Sequence, residues 1–270
     1  MMQPNGAGRE PRNVFEREKT VTDWDADYYH PIAVRYYDKA VAEMLEVMGV
    51  RAGDTVLDAG CGPGVHSVRA AKYGATVRAV DLSETMLSHA RARASAAGVA
   101  ERITFSQDDL THLSLDSAAF KYVFSWGVLI HVPDAENAIA HLARVTSPGG
   151  RLALHVLNAS SIDFKVERMF RSLLRRPLKD AQLTSLGTGN WYGFNDDRLW
   201  VQRFATEQLV RALALHGMRL TVRRGAEFSE LQRRVPRLLR PLLLLANSLA
   251  YSLRLPASWF CTHILVFEKA

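Results

Sequence analysis

The stretch that most constrains this chain is Val56-Leu57-Asp58-Ala59-Gly60-Cys61-Gly62-Pro63-Gly64. Thr55 to Leu57 are apolar or β-branched, as in a buried strand, and lead into an acid and three glycines at alternate positions. Glycine accepts the left-handed backbone and lets the main chain approach a ligand closely. Beyond Gly64, Val65, Val68, Ala71 and Lys72 continue at helical spacing. The unit reads strand, glycine turn, helix, a common setting for a nucleotide-like ligand. The spacing is Gly-x-Gly-x-Gly, not the Gly-x-Gly-x-x-Gly of dinucleotide binders, and no Gly-Lys-Ser/Thr follows it. Asp58, just before the first glycine, would repel a pyrophosphate and attract a cation such as an ammonium or a sulfonium.

The remaining strands follow at regular intervals. Thr76–Val80 ends at Asp81, whose carboxylate can accept two hydrogen bonds from a pair of ribose hydroxyls. Ser83 is expected to cap the helix that Met86 and Leu87 begin. Ile103–Ser106 leads to Asp108 and Asp109, placed either to take an adenine amino group or to cap a turn. Tyr122–Trp126 and Arg151–Val156 are the fourth and fifth strands, with Asp134 capping a helix over 135–145 between them. Met218–Val222 and Phe260–Glu268 are the sixth and seventh, and Thr206 is expected to cap the helix before the sixth. Ahead of the glycine motif, Val34, Tyr37, Val41, Met44, Leu45 and Met48 give 32–48 one apolar helical face.

Three further segments sharpen the pattern: Asp81-Leu82-Ser83-Glu84-Thr85-Met86-Leu87, Leu129-Ile130-His131-Val132-Pro133-Asp134, and Ser147-Pro148-Gly149-Gly150. With the glycine motif, they make residues 50–158 resemble the class I S-adenosylmethionine (SAM)-dependent methyltransferases. Within that class the chain resembles the small-molecule group that includes methyltransferase type 11 and ubiquinone-biosynthesis enzymes. The resemblance implies an α/β, Rossmann-like seven-stranded sheet in the order 3-2-1-4-5-7-6 with strand 7 antiparallel. It implies a helical cap over 1–49, the SAM-binding core over 50–158, a lid over 159–203 and the rest of the sheet over 204–270. It also implies SAM as methyl donor and S-adenosyl-L-homocysteine as product. In the family's pattern Asp58 holds the methionine ammonium, and Gly60, Cys61, Gly62 and Gly64 close around the methionine half. Asp81 holds the ribose, Leu82 and Met86 pack beside the cofactor, and Asp108 takes the adenine amino group. The backbone at Asp109 or Leu110 reaches the adenine ring, and Ser125 and Trp126 sit beside the methionine end. Trp126 departs from the polar residue commoner at its position.

Methyl transfer to a hydroxyl, thiol, amine or acidic carbon is helped by a general base. His131, at the carboxyl edge after the fourth strand, is the first candidate, with a loop-shaping histidine as its structural alternative; His155 and Tyr28 follow. Tyr29, His30, Tyr36, Trp191 and Tyr192 are expected at the acceptor pocket, although the tyrosines could equally be packing residues. No His/Cys/Asp/Glu spacing suggests a metal. An Asp/Asn-Pro-Pro-Tyr/Phe element is absent after the fourth strand, which argues against DNA-adenine and glutamine methylation.

Composition bounds the partners. The net charge of +6 and pI near 9.5 suggest an RNA methyltransferase as an alternative, but no RNA-binding platform accompanies them, and no nucleic acid is expected. A non-catalytic SAM-binding or scaffolding subunit is the third reading. Lys165, Arg168, Arg171, Arg175, Arg176 and Lys179 alternate with apolar residues over 164–179, a basic amphipathic helix. Leu186–Asp197 reads as loop. Arg233–Leu255 is leucine-rich, and its 13-residue uncharged run is too short to cross a bilayer, which takes about 20. It reads as a core or dimer helix, a membrane-surface contact, or the wall of a greasy acceptor site. A small, largely apolar acceptor, an acidic carrier protein, a peripheral membrane contact and a homodimer are the expected partners. Met1–Arg12 lacks an apolar segment, and Cys61 and Cys261 form no disulfide framework, so a cytoplasmic chain with a flexible start is expected.

Overall fold

The computed structural model describes residues 14–22, 31–175, 181–194, 197–229 and 237–270. Five strands alternate with helices first: β1 (Thr55–Ala59), β2 (Thr76–Asp81), β3 (Ile103–Gln107), β4 (Phe120–Trp126) and β5 (Thr146–Leu157). Three more follow, β6 (Gln182–Thr184), β7 (Gly187–Phe194) and β8 (Asp197–Phe204), and then β9 (Met218–Gly225) and β10 (Thr262–Lys269). The large sheet has the order β3-β2-β1-β4-β5-β10-β9. Numbered within that sheet, the order is the expected 3-2-1-4-5-7-6. The first five strands are parallel, and β10 runs antiparallel to both its neighbours.

Strand alternation sorts the core into two layers. Val56, Tyr122, Phe124, Trp126, Ala153, Ile264 and Val266 join one buried cluster, and Leu57, Ala59, Val123, Leu152, Leu154, Leu265 and Phe267 join the other. The helices α1 (Pro31–Met48), α2 (Val65–Tyr73) and α3 (Glu84–Ala96) cover the first face. Covering the second are α4 (Ala135–Val145) and α6 (Thr206–Ala214), with α5 (Ile162–Leu173) following β5. A last helix, α7 (Arg240–Ser252), packs Tyr251 against Tyr36 of α1 at a ring-centroid distance of 5.3 Å. Two predicted caps form: Ser83 accepts from Met86 N, and Asp134 from Asn137 N.

Several expectations are corrected. Residues 187–194 are not a loop but strand β7, which pairs with β8 from Gly187↔Phe204 to Phe194↔Asp197; residues 195 and 196 lie outside the described residues. Gly189 there serves packing, since a Cβ on it would collide with the Trp200 indole. The basic helix is shorter than its charge pattern, spanning Ile162–Leu173. Thr206 is the first residue of α6 and not its cap; its Oγ1 lies 3.1 Å from His263 Nδ1. β9 runs past Val222 to Gly225, and β10 starts at Thr262, after Phe260 has folded over Gly225.

Gly64 caps α2 with φ +77°, and an added Cβ would sit 2.8 Å from Ala90 Cβ and 2.9 Å from its Cα. Gly62, at φ +52°, faces open space. Gly64→Ala is expected to cost at least about 1–3 kcal/mol in urea unfolding from the backbone alone, and more than Gly62→Ala because of the added clash with α3.

Candidate active site

The parallel strands bring their carboxyl ends to one edge, and the strand order reverses between β1 and β4, which opens a crevice there. A cavity of about 920 Å³ occupies this edge. Its floor is the glycine loop, where Gly60 and Gly62 hold φ of 83° and 52°. Gly60 N and Cys61 N both donate to Val80 O, at 2.8 and 2.9 Å, and Gly62 N donates to Asp81 Oδ2 at 2.7 Å. The loop's amides are thus turned onto β2, away from the role of a phosphate cradle.

Two acids at adjacent strand tips face the same cavity. Asp58 is buried and accepts a 2.5 Å hydrogen bond from Ser67 Oγ. Burial, opposed by that bond and aided by the nearby Asp81 charge, pushes its carboxyl up to about 7. Asp81 accepts from Gly62 N and from Ser83 N at 3.0 Å, and burial pushes it up to about 6. Each oxygen of Asp81 keeps a second lone pair for a ligand hydroxyl.

The opposite end is aromatic and basic. Trp126 stacks on His155 with centroids 4.4 Å apart and planes 3° from parallel, and His66 lies 4.8 Å from Trp126. Burial, with lesser contributions from the Arg69 and His155 charges, holds His66 well below its ordinary range. His155 Nε2 is 2.8 Å from Glu227 Oε2, which also accepts from Thr262 Oγ1. Burial would raise Glu227, but the His155 charge and these bonds outweigh it and hold the carboxyl at about 2. His131 Nδ1 is 2.9 Å from Trp200 O. A carbonyl only accepts, so Nδ1 carries the proton and, in the neutral ring, Nε2 holds the lone pair.

Of the predicted residues, Asp58, Gly60, Cys61, Gly62, Asp81, Leu82, Met86, Asp109, Leu110, Trp126, His131, His155 and Tyr192 line this cavity. Five do not. Gly64 turns beneath it as the cap of α2. Asp108 accepts from Ser114 N and Ser114 Oγ at 3.1 and 2.8 Å, closing the 108–114 turn, so it caps, the alternative kept for it above. Ser125 donates to Ala59 O between β4 and β1. Tyr36 is core, because one residue's rotation of α1 turns Tyr37, not Tyr36, to the cavity. Trp191 packs on Trp200 at 5.3 Å, on the face of β7 opposite Tyr192, as period-two alternation requires. Tyr28, Tyr29 and His30 lie outside the described residues. Sequence reasoning missed Tyr37, His66, Arg203 and Glu227. Glu227 carried one signal, an acid just beyond the carboxyl end of the sixth strand, but only if that strand reaches Gly225.

Residues 56–150 match the sequence pattern of the methyltransferase domain family. Over that stretch the chain is similar to methyltransferase domains. Methyltransferase GfsG of Streptomyces halstedii is 36% identical over 118 residues, 43% of this chain and 42% of that protein. The 27-O-demethylrifamycin SV methyltransferase of Amycolatopsis mediterranei is 38% identical over 109 residues, 40% of each chain. The chain thus spans about two fifths of the length of these curated relatives. Among solved structures, magnesium protoporphyrin IX methyltransferase from Synechocystis with bound SAH superposes with a TM-score of 0.64 at 19% identity, covering 96% of this chain and 98% of that one. That likeness extends the methyltransferase fold beyond the matched domain, through β10.

The two raised acids set a pH dependence. Between about pH 4 and 7 the folded chain keeps protons on Asp58 and Asp81 that the unfolded chain, with carboxyls near 3.8, has released. The folded state is then the more protonated one, so these two groups lower stability as pH rises through that window. His263, held by burial at about 4, acts in the opposite sense, so the comparison of two proteins carries the test. Asp58→Asn is expected to melt higher than wild type at about pH 8, with the difference shrinking towards about pH 4.

Proposed function

We propose that the protein transfers the methyl group of SAM to a hydroxyl of a small, largely apolar molecule. One observation carries the reading: Asp58 and Asp81, buried at adjacent strand tips across the glycine bend, face one cavity whose far wall holds His131 and His155. The residues fit the donor. Two carboxyls lifted by burial suit a cationic partner that would return them to the ionised form. In this reading Asp58 holds the methionine ammonium, Asp81 the ribose hydroxyls, and Leu82 and Met86 the flank of the nucleoside, with the loop glycines allowing close approach.

When bound, SAM supplies a methyl group made electrophilic by its sulfonium. The chain's task is positioning and proton removal, and positioning alone supplies much of the rate in such reactions. Tyr37, Trp126, Val128 and Leu157 give the acceptor end an apolar wall that excludes water. His131, with its proton fixed on Nδ1 by Trp200 O, presents Nε2 as the base for the acceptor hydroxyl. The relatives' names include an O-demethylrifamycin methyltransferase and ubiquinone-biosynthesis O-methyltransferases, which favours oxygen as the atom methylated.

Calorimetry with SAM tests the binding half. Asp81→Ala is expected to weaken binding by about 2 kcal/mol, roughly 30-fold, as for lost hydrogen bonds to a charged group. Wild-type affinity should rise from about pH 5.5 to 8 as the two carboxyls ionise, and Asp58→Asn should flatten that rise. Equal affinity in Asp81→Ala would remove Asp81 from the site. Turnover of labelled SAM with hydroxylated aromatic acceptors tests the chemistry: His131→Gln should lower kcat by about 10²-fold or more with SAM affinity unchanged.

A further inference from the structure

An amphipathic helix on a globular protein normally turns its apolar side inward. α5 does the reverse. Its inner side is Phe164, buried beneath the Arg203 guanidinium at 4.4 Å, and Glu167, 3.7 Å from Arg203 and 2.9 Å from Arg171. Met169, Phe170 and Leu173 point outward, Leu173 being 77% exposed. Lys165, Arg168 and Arg175 are exposed beside them. The acids of α5 do not offset this charge outwardly, because Glu167 faces the arginines and Asp163 accepts from Ser229 Oγ at 3.3 Å.

α7 repeats the arrangement. Asn247, Ala250 and Tyr251 are buried, while Leu242, Leu245 and Leu249 form an outward stripe at helical spacing with no charge among them. Ser229 ties the two helices together: its hydroxyl meets Asp163 at the start of α5, and its backbone exchanges two 3.0 Å bonds with Asn247 in α7.

We propose that the outward sides of α5 and α7 dock the protein flat on an anionic lipid bilayer. A leucine-rich stripe with lysine and arginine at its margin matches the acyl boundary and the phosphate headgroups together. No described helix is long and apolar enough to cross a membrane, so the contact lies in the interface plane. A second copy related by a two-fold axis would set the basic margin against its own like charge. An acidic carrier protein would answer that margin but leave the leucine stripe of α7 in water. The inner side of α5 touches Arg203, a residue of the cavity wall, so docking would bring the acceptor end of the cavity towards the lipid.

Flotation of the full-length protein with vesicles, without SAM, tests this separately from methyl transfer. The protein should float with vesicles of about one third phosphatidylglycerol in phosphatidylcholine and bind at least about tenfold more weakly to phosphatidylcholine alone. Lys165→Glu with Arg168→Glu, and separately Leu173→Ser with Leu249→Ser, should each weaken binding about tenfold or more. All four side chains are exposed, so unchanged circular dichroism and melting are expected to accompany the loss. The proposal is overturned if the wild type does not float, or if neither pair alters its floating. Self-association in solution that Leu173→Ser with Leu249→Ser abolishes would assign the face to a second copy instead. Binding of an acidic carrier protein that vesicles fail to displace would likewise overturn it.

Discussion

The hydrogen bond from Gly62 N to Asp81 Oδ2 joins the two halves of the site. It ties the glycine bend after β1 to the tip of β2, and the bonds of Gly60 and Cys61 to Val80 O close the same seam. A bend of this shape needs left-handed backbone at alternate residues, which only glycine supplies without strain. It turns the loop's amides away from the cavity and leaves carboxylates as the polar groups at that end. Carboxylates lining a cavity end attract positive charge and hydroxyl donors and repel phosphate.

Holding two acids in a buried crevice has an electrostatic cost, visible in the rise of Asp58 to about 7 and of Asp81 to about 6. The other end of the cavity is organised by the opposite chemistry. Trp126 lies flat on His155, and His155 is held at its Nε2 by Glu227, a carboxyl kept at about 2 in spite of burial. The tryptophan that departs from the commoner polar residue therefore has a packing reason: it fills the space between two histidines, His66 and His155. The cavity thus runs from buried acids at one end to paired bases and aromatic rings at the other.

The sheet was legible because parallel strands are near-continuous apolar runs bounded by glycine, proline and acids. Asp58 and Asp81 were legible as the residues that end two such runs. Asp108 shows the limit of that argument: an acid at a strand tip can as readily take the amides of its own turn, and Ser114 is placed to supply them. The second sheet was hidden for a different reason. β7 is rich in glycine and polar residues, which read as loop, and only its pairing with β8 and the Trp200 indole resting on Gly189 make it a strand. Tyr36 and Tyr37 could not be sorted by type, since α1 places one in the core and the other at the cavity by a single step of rotation.

By itself the sequence determined the order of strands and helices in the large sheet, the glycine bend and the acids that flank it, because each of these is a local requirement of backbone geometry or of strand polarity. Tertiary structure decided which side chains share the cavity. Glu227 lies 72 residues from His155 in the chain, and the Trp200 carbonyl that sets the His131 tautomer lies 69 residues from its partner. Those pairings arise from the register of β9 against β10 and from the placement of β8 against β5 and the turn after β4. Each depends on packing between elements distant in the chain, to which no local preference points.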